Sequence, residues 1–185
     1  TSAKELLRTS EIELSLGRQL TGILLSNQSE LAHRVAKMRK KFAQQFGFII
    51  PEIELSDDLN LAPKNYSVKI HGTLAASYEL RPGEVMVVTA GRKPPAVPGD
   101  SIKEPAFGLD AMWVPDMFAA ELKAEGFNTF DIMSVMLTHL SEVIRNNLAQ
   151  LLSYRDLRMI TESLEPEYKR LLDENVPSLL TFSTL

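Results

Sequence analysis

The sequence contains no cysteine, which excludes disulfides, thiolate zinc sites and cysteine nucleophiles. That absence suits a reducing compartment. Histidine is scarce: His33, His71 and His139 are the only three, and no two stand at the helical spacing that would bring a pair onto one metal. Each reads as a structural or exposed residue. There is no G-x-S-x-G run, and Gly83 and Gly91 do not make a phosphate-cradling loop. His139 and Ser141 are neighbours in sequence, but a helix turns positions i and i+2 to different sides. No apolar run approaches the roughly 20 residues that a membrane helix needs. Repeats and low-complexity tracts are missing as well. The sequence therefore leads us to expect no catalytic residues, no cofactor and no metal.

What remains is ordinary for a globular protein. The chain has 185 residues, 44% of them hydrophobic and 24% charged, enough to bury one sizeable core or two small ones. The net charge of -4 offers no overall attraction to nucleic acid or to anionic membrane. Paired acids such as Asp57-Asp58 and Glu165/Glu167 are easily found among 24 acidic residues and read as solvated surface.

Hydrophobic periodicity sets out the order of elements. Ile12, Leu14 and Leu16 alternate with Glu11, Glu13 and Ser15, which predicts a half-buried strand over 10–16, weakened by Gly17. Ser26, Asn27 and Ser29 mark a turn with N-caps on offer. A helix follows from about Ser29 to Gln45, with Leu31, Val35, Met38 and Phe42 as its apolar stripe and Gly47 as its stop. Arg34, Lys37, Arg39, Lys40 and Lys41 give this helix a basic outer surface, read as a solvated face or as a contact patch for an acidic partner. Strands are expected over 48–56, with Pro51 placing it at an edge or making a break, then at Tyr66–Ile70, Leu74–Leu80 and Glu84–Thr89, with Arg81-Pro82-Gly83 as a turn. Gly91 to Gly108 is punctuated by four prolines and reads as a long loop. A short strand at Ala111–Val114 contains Trp113, expected in the core. Asp116 is expected to cap a helix through Leu122, Phe127–Phe130 to form a strand, and Asp131 to cap the longest helix, reaching about Leu152. Ile132, Met136, Leu140, Val143, Leu148 and Leu151 make the buried stripe of that helix. Ser134, Thr138, Ser141 and Arg145 fall on its opposite face. Helices at Arg155–Leu164 and Glu167–Asp173 come last. Early strands and late helices place the chain in the α+β class with at least two units.

One stretch carries more information than composition does. It contains Glu104-Pro105-Ala106-Phe107-Gly108-Leu109 with Ala111 and Trp113. Gly126-Phe127 with Asp131 comes next, then Ser134-Val135 and Thr138 through Arg145. In order and spacing these runs resemble the cytoplasmic domain of the bacterial type III secretion export gate proteins. That family carries D-P-A-F-G-L-x-A-x-W, then G-[YF]-x-x-x-D, then S-V-x-x-T-H-L-S-E-V-I-R. Phe46 through Pro51, Asp58 through Leu61, Pro63 and Tyr66 match too. The resemblance runs from about Arg8 to the end.

The resemblance implies a small mixed-sheet subdomain (1–82 plus 131–152), an inserted α/β subdomain (83–130) and the start of a helical third subdomain (153–185), with the chain cut before the family's C-terminal subdomain. It implies a cytoplasmic docking platform, at the inner face of the bacterial inner membrane, that receives export chaperone–substrate complexes and passes substrates to the membrane channel. The secretion ATPase complex and other export-apparatus membrane proteins would be partners. The full-length protein would form a nonamer, whereas this fragment is expected to be mostly monomeric. Carried over residue by residue, the docking site falls on Glu104, Pro105, Phe107, Gly108 and Thr138. From sequence physics alone, Phe107 either plugs a local core or offers a partner a rigid anchor between proline and glycine. Glu104 stands where the family has aspartate and reaches one methylene further, which leaves its loop-holding hydrogen bonds an open question. The rival reading is a small nucleic-acid-binding or enzymatic domain that uses the basic 34–41 helix.

Overall fold

A computed structural model describes residues 10–153. The chain divides into two compact units, residues 1–144 and 145–185, and both sheets lie in the first. In the second, residues 148–153 are helical, and the Leu151 N–H donates to the Asn147 carbonyl at 3.1 Å. The helices expected at Arg155–Leu164 and Glu167–Asp173, and the third subdomain apart from its first residue, lie outside the described residues.

The alternating run at the start forms β1 (Ile12–Leu16), and Ile12, Leu14 and Leu16 are fully buried. The chain then does what local sequence did not foretell. Arg18–Ser26 is a helix, α1, although Gly17 and Gly22 weaken any regular element there. Its first amides have no side-chain cap. They donate instead to a distant carbonyl: Gln19 and Leu20 N–H reach Pro63 O at 2.9 and 3.2 Å. Gly17 permits that approach, because a Cβ there would meet Ala62 O at 2.2 Å and Pro63 O at 2.8 Å. Helix α2 (Gln28–Phe46) follows after Asn27 and ends where expected, at a left-handed Gly47 whose N–H donates to Ala43 O at 2.8 Å. Leu31 and Phe42 of its stripe are buried, and Val35 and Met38 are half-buried.

The two helices form the crossover between β1 and the parallel β2 (Ile53–Asp57). Pro51 precedes β2, an edge strand shorter than the expected 48–56. The antiparallel β3 (Asn65–Ile70) and β4 (Thr73–Glu79) complete a four-stranded sheet in the order β2-β1-β3-β4.

The second sheet has the order β6-β7-β5-β8. It comprises β5 (Glu84–Val88), β6 (Asp100–Lys103), β7 (Asp110–Pro115) and β8 (Asn128–Phe130). Strand β6 corrects the reading of 91–108 as one loop. Gly99 admits it, since a Cβ there would sit 2.5 Å from Trp113 O. Asp116–Phe118 is a 3-10 turn without a side-chain cap, and the α-helix after it, α3, covers only Ala119–Ala124. Alternation along β5 and β7 sorts two layers. Val85, Val87, Met112 and Val114 pack with Leu122 of α3, while Met86 and Trp113, paired in register, are buried on the other face.

Helix α4 (Ile132–Asn146) is capped as expected: Asp131 Oδ1 accepts the Ser134 N–H at 2.8 Å. It stops short of Leu152, and at 15 residues against 19 it is not the longer helix. Its burial is not a single stripe either. Met133, Val135, Leu137, His139 and Ile144 are buried along with Met136, Leu140 and Val143, because more than one layer covers it. Thr138 is exposed, as its helical position required. His139 is a structural residue. Its Nδ1 lies 2.6 Å from the Tyr66 hydroxyl, and its ring meets those of Tyr66 and Tyr78 edge-on. The Tyr78 hydroxyl in turn donates to the Lys103 carbonyl of β6 at 3.3 Å, so the Tyr66, Tyr78 and His139 cluster links the first sheet to α4 and to the second sheet.

Two predictions concern stability. The Gly17→Ala change forces a methyl into backbone carbonyls and should destabilise by about 1–3 kcal/mol. Gly22→Ala, in a helix interior with nothing within 4 Å of the added methyl, should stabilise by about 0.5–1 kcal/mol. Chemical denaturation of the two variants checks the opposite signs. Acidification should weaken the fold in two stages. Burial lowers the His139 pKa, against the opposing field of Glu104. The fold therefore favours neutral His139, and stability falls as pH drops through the ordinary imidazole value of about 6.5. Desolvation pushes Asp131 up, but hydrogen bonds from Arg34 and Ser134 outweigh it and hold its pKa low. Its contribution is present above the ordinary aspartate value of about 3.9 and is lost as pH falls through the lower folded value. Melting temperature against pH should lose the first stage in His139→Gln and the second in Asp131→Asn.

Candidate functional site

Residues 104–109 form a loop closed on its own carboxylate. Pro105 stiffens its entry and Gly108, at φ 72°, supplies the left-handed turn that lets it reverse. Glu104 is 7% exposed, yet both of its carboxylate oxygens are hydrogen-bonded. Oε2 accepts the Ala106 N–H at 2.8 Å, and Oε1 accepts those of Phe107 and Leu109 at 2.7 and 2.9 Å. The main chain adds two bonds, Glu104 N–H to Leu109 O at 2.9 Å and Gly108 N–H to Glu104 O at 3.1 Å. Charge-assisted bonds of this kind offset the cost of burying a carboxylate. The longer side chain of glutamate thus still reaches every free amide of the loop.

With the main chain so held, the side chain at the tip has nowhere inward to go. Phe107 is 62% exposed and Leu109 43%. Of the two readings open to Phe107, core plug and surface anchor, the coordinates place it at the surface. It stands at the rim of a cavity of about 270 Å³. Glu104, Pro105 and Leu109 share that wall. Met86 and Val88 of β5 and Phe130 and Asn128 of β8 make the floor, paired in register as Met86 with Phe130 and Val88 with Asn128. Ser134, Val135 and Thr138 of α4 form the remaining wall. Glu104, Pro105, Phe107 and Thr138 are therefore brought together around one hole. Gly108 shapes the turn without lining it.

The floor was not foreseen. Its signal lay in the alternation of β5, where Val85 and Val87 go to the core with α3, leaving Met86 and Val88 for the opposite face. Register alone then recruits Phe130 and Asn128. The lining is chiefly apolar, with Asn128, Ser134 and Thr138 as its uncharged polar points and the Glu104 carboxylate already occupied by amides. Such a surface binds an apolar side chain or a helix face. Among the described residues, no group of three or more histidines and acids could hold a metal, and no helix is long and apolar enough to cross a membrane.

The basic helix is less basic outside than its sequence suggests. Arg39 donates to Ile50 O at 2.6 Å, and Arg34 forms ion pairs with Glu30 and Asp131. Lys37, Lys40 and Lys41 remain exposed.

Comparison with known proteins places this geometry in a family. The FHIPEP family matches residues 1–185. Flagellar biosynthesis protein FlhA of Caulobacter vibrioides is 29% identical over 97% of the chain, and FlhA of Salmonella typhimurium is 29% identical over 95%. The chain spans 26% of the length of each of these relatives. Among solved structures, the Chlamydia pneumoniae CdsV protein superposes with a TM-score of 0.71 at 21% identity, over 94% of this chain and 52% of that one. A cytoplasmic domain of Salmonella InvA gives 0.57 at 17%, over 91% and 98%. The nonameric EPEC SctV-C gives 0.55 at 14%, over 91% and 49%. The chain belongs to the FHIPEP family, and its fold is that of the cytoplasmic domains of type III secretion export gate proteins.

Proposed function

We propose that this chain is the docking platform of an export gate: it receives export chaperone–substrate complexes at the Phe107 cavity and passes substrates on for secretion. The observation that carries the reading is an exposed aromatic, fixed on a carboxylate-stapled loop, across an apolar cavity from Thr138. A partner gains by covering Phe107 and filling the cavity, and the loop is already ordered, so little entropy is lost on docking. Helix-in-groove binding suits an apolar lining of this kind. The first sheet with α4 acts as one lobe and residues 83–130 as a second, inserted lobe, with the cavity where they meet.

In the full-length protein this platform would face the cytoplasm beneath the inner membrane. The secretion ATPase complex and the other export-apparatus membrane proteins would be its neighbours. A nonameric ring is the natural assembly, since SctV-C and the EscV cytosolic domain are nonamers. The reading is non-enzymatic.

Phe107→Ala should weaken binding of a chaperone–substrate complex by about 1.5–3 kcal/mol and leave the melting temperature unchanged, because the ring is mostly solvated in the free chain. Calorimetric titration with the wild-type and variant chains measures this; equal affinity rules the anchor out. Glu104→Gln replaces one acceptor oxygen by an amide nitrogen, which donates and cannot accept. It should weaken the same binding by loosening the loop, seen as faster amide exchange at Ala106, Phe107 and Leu109.

A further inference from the structure

The α4 wall of the cavity is not held by its own helix alone. Arg34 lies on α2, 97 residues before Asp131. Its Nη1 donates to Asp131 Oδ1 at 2.9 Å and its Nη2 to Asp131 Oδ2 at 2.8 Å. The same Nη1 donates to the Ser134 hydroxyl at 2.9 Å, and Nε is fixed by Glu30 at 2.9 Å. Asp131 Oδ1 also accepts the Ser134 N–H, and Ser134 lines the cavity. One guanidinium thus makes three bonds to the cap and first turn of the helix that forms a cavity wall.

The N-cap by itself starts the helix but does not say where the helix lies relative to α2. A planar fork bonded to both carboxylate oxygens does, since it constrains distance and rotation together. The Arg34 and Asp131 side chains are 29% and 47% exposed, so solvent screening keeps the pair's contribution to global stability modest. Its geometric specificity is the larger consequence.

We infer that Arg34 is a positioning residue for the docking cavity: clamped to Asp131 and Ser134, it sets the α4 wall opposite Phe107. In functional terms this rests on the docking reading, but the clamp can be tested without it. The chain has no cysteine, so paired nitroxide labels on Phe107→Cys and Thr138→Cys report the width across the cavity without background. The distance distribution is measured by electron–electron double resonance in the otherwise wild-type chain, in Arg34→Gln, in Asp131→Asn and in the double variant. Asparagine still caps a helix, so Asp131→Asn removes the charged fork and keeps the cap.

Both single variants should broaden or shift the distribution alike, and the double variant should add nothing, as expected when two residues act as one unit. Arg34→Lys, which keeps charge but lacks the fork, should broaden it too, and it decides the matter if Arg34→Gln does not fold. In the unlabelled chain, Arg34→Gln should weaken binding of the chaperone–substrate complex used for Phe107→Ala by roughly 2- to 30-fold. A distribution unchanged in folded Arg34→Gln, or changed there but not in Asp131→Asn, overturns the clamp. So does a wild-type distribution in Arg34→Lys. If Phe107→Ala binds like wild type, the docking reading fails while the label distances still judge the clamp. If Phe107→Ala loses binding and Arg34→Gln does not, the role of the clamp in docking fails and docking stands.

Discussion

Helix α4 has to satisfy two sheets at once, and the shape of the site follows from that constraint. At its cap, Asp131 meets Arg34 from the crossover helix α2. At mid-length, His139 meets Tyr66 of the first sheet. Between these points, Ser134, Val135 and Thr138 turn toward the second sheet and its 104–109 loop. A helix fixed at two points has little freedom to roll or slide, so the wall it presents to the cavity is set by the fold.

The opposite wall is determined in a different way. Contacts from distant elements hold α4, whereas the loop is held from within, through a buried carboxylate that gathers three amides. Burying a charge is costly unless each lone pair finds a donor, and here the donors are the very backbone groups that would otherwise face a partner unsatisfied. The loop consequently presents side chains rather than polar backbone. That makes Phe107 an exposed aromatic on a rigid support, the arrangement that loses least on binding. The rings of Tyr66, Tyr78 and His139 pack on one another, and the Tyr78 hydroxyl reaches the Lys103 carbonyl next to Glu104.

Much of this was legible in the residues. Period-two alternation located β1 and β3, a 3.6-residue stripe located α2, and Gly47 ended it as its φ of 65° requires. The misses share one cause. Helix α1 takes its cap from Pro63 O across the fold, strand β6 exists because β7 pairs with it, and α4 is buried on several sides because two layers reach it. In each case the deciding partner lies outside the segment itself, across the fold for α1 and α4 and on the next strand for β6, and local propensity carries no trace of it. The same holds for the two arginines of the basic helix, which look solvent-facing in sequence and are turned to partners in the fold.

The sequence by itself determined the α+β class, the position of most elements, the membership of the family through its spaced motifs, and the helix face on which Thr138 lies. Those depend on neighbours within a few residues or on residue identity. Tertiary structure alone decided that Phe107 stands outside rather than in a core, that Glu104 spends its charge on the loop, that Met86, Val88, Asn128 and Phe130 share the same cavity, and that Arg34 reaches Asp131. The reason is geometric: the cavity and the Arg34 contact depend on distances between segments tens of residues apart, and the loop on a side-chain conformation that residue identity alone does not fix.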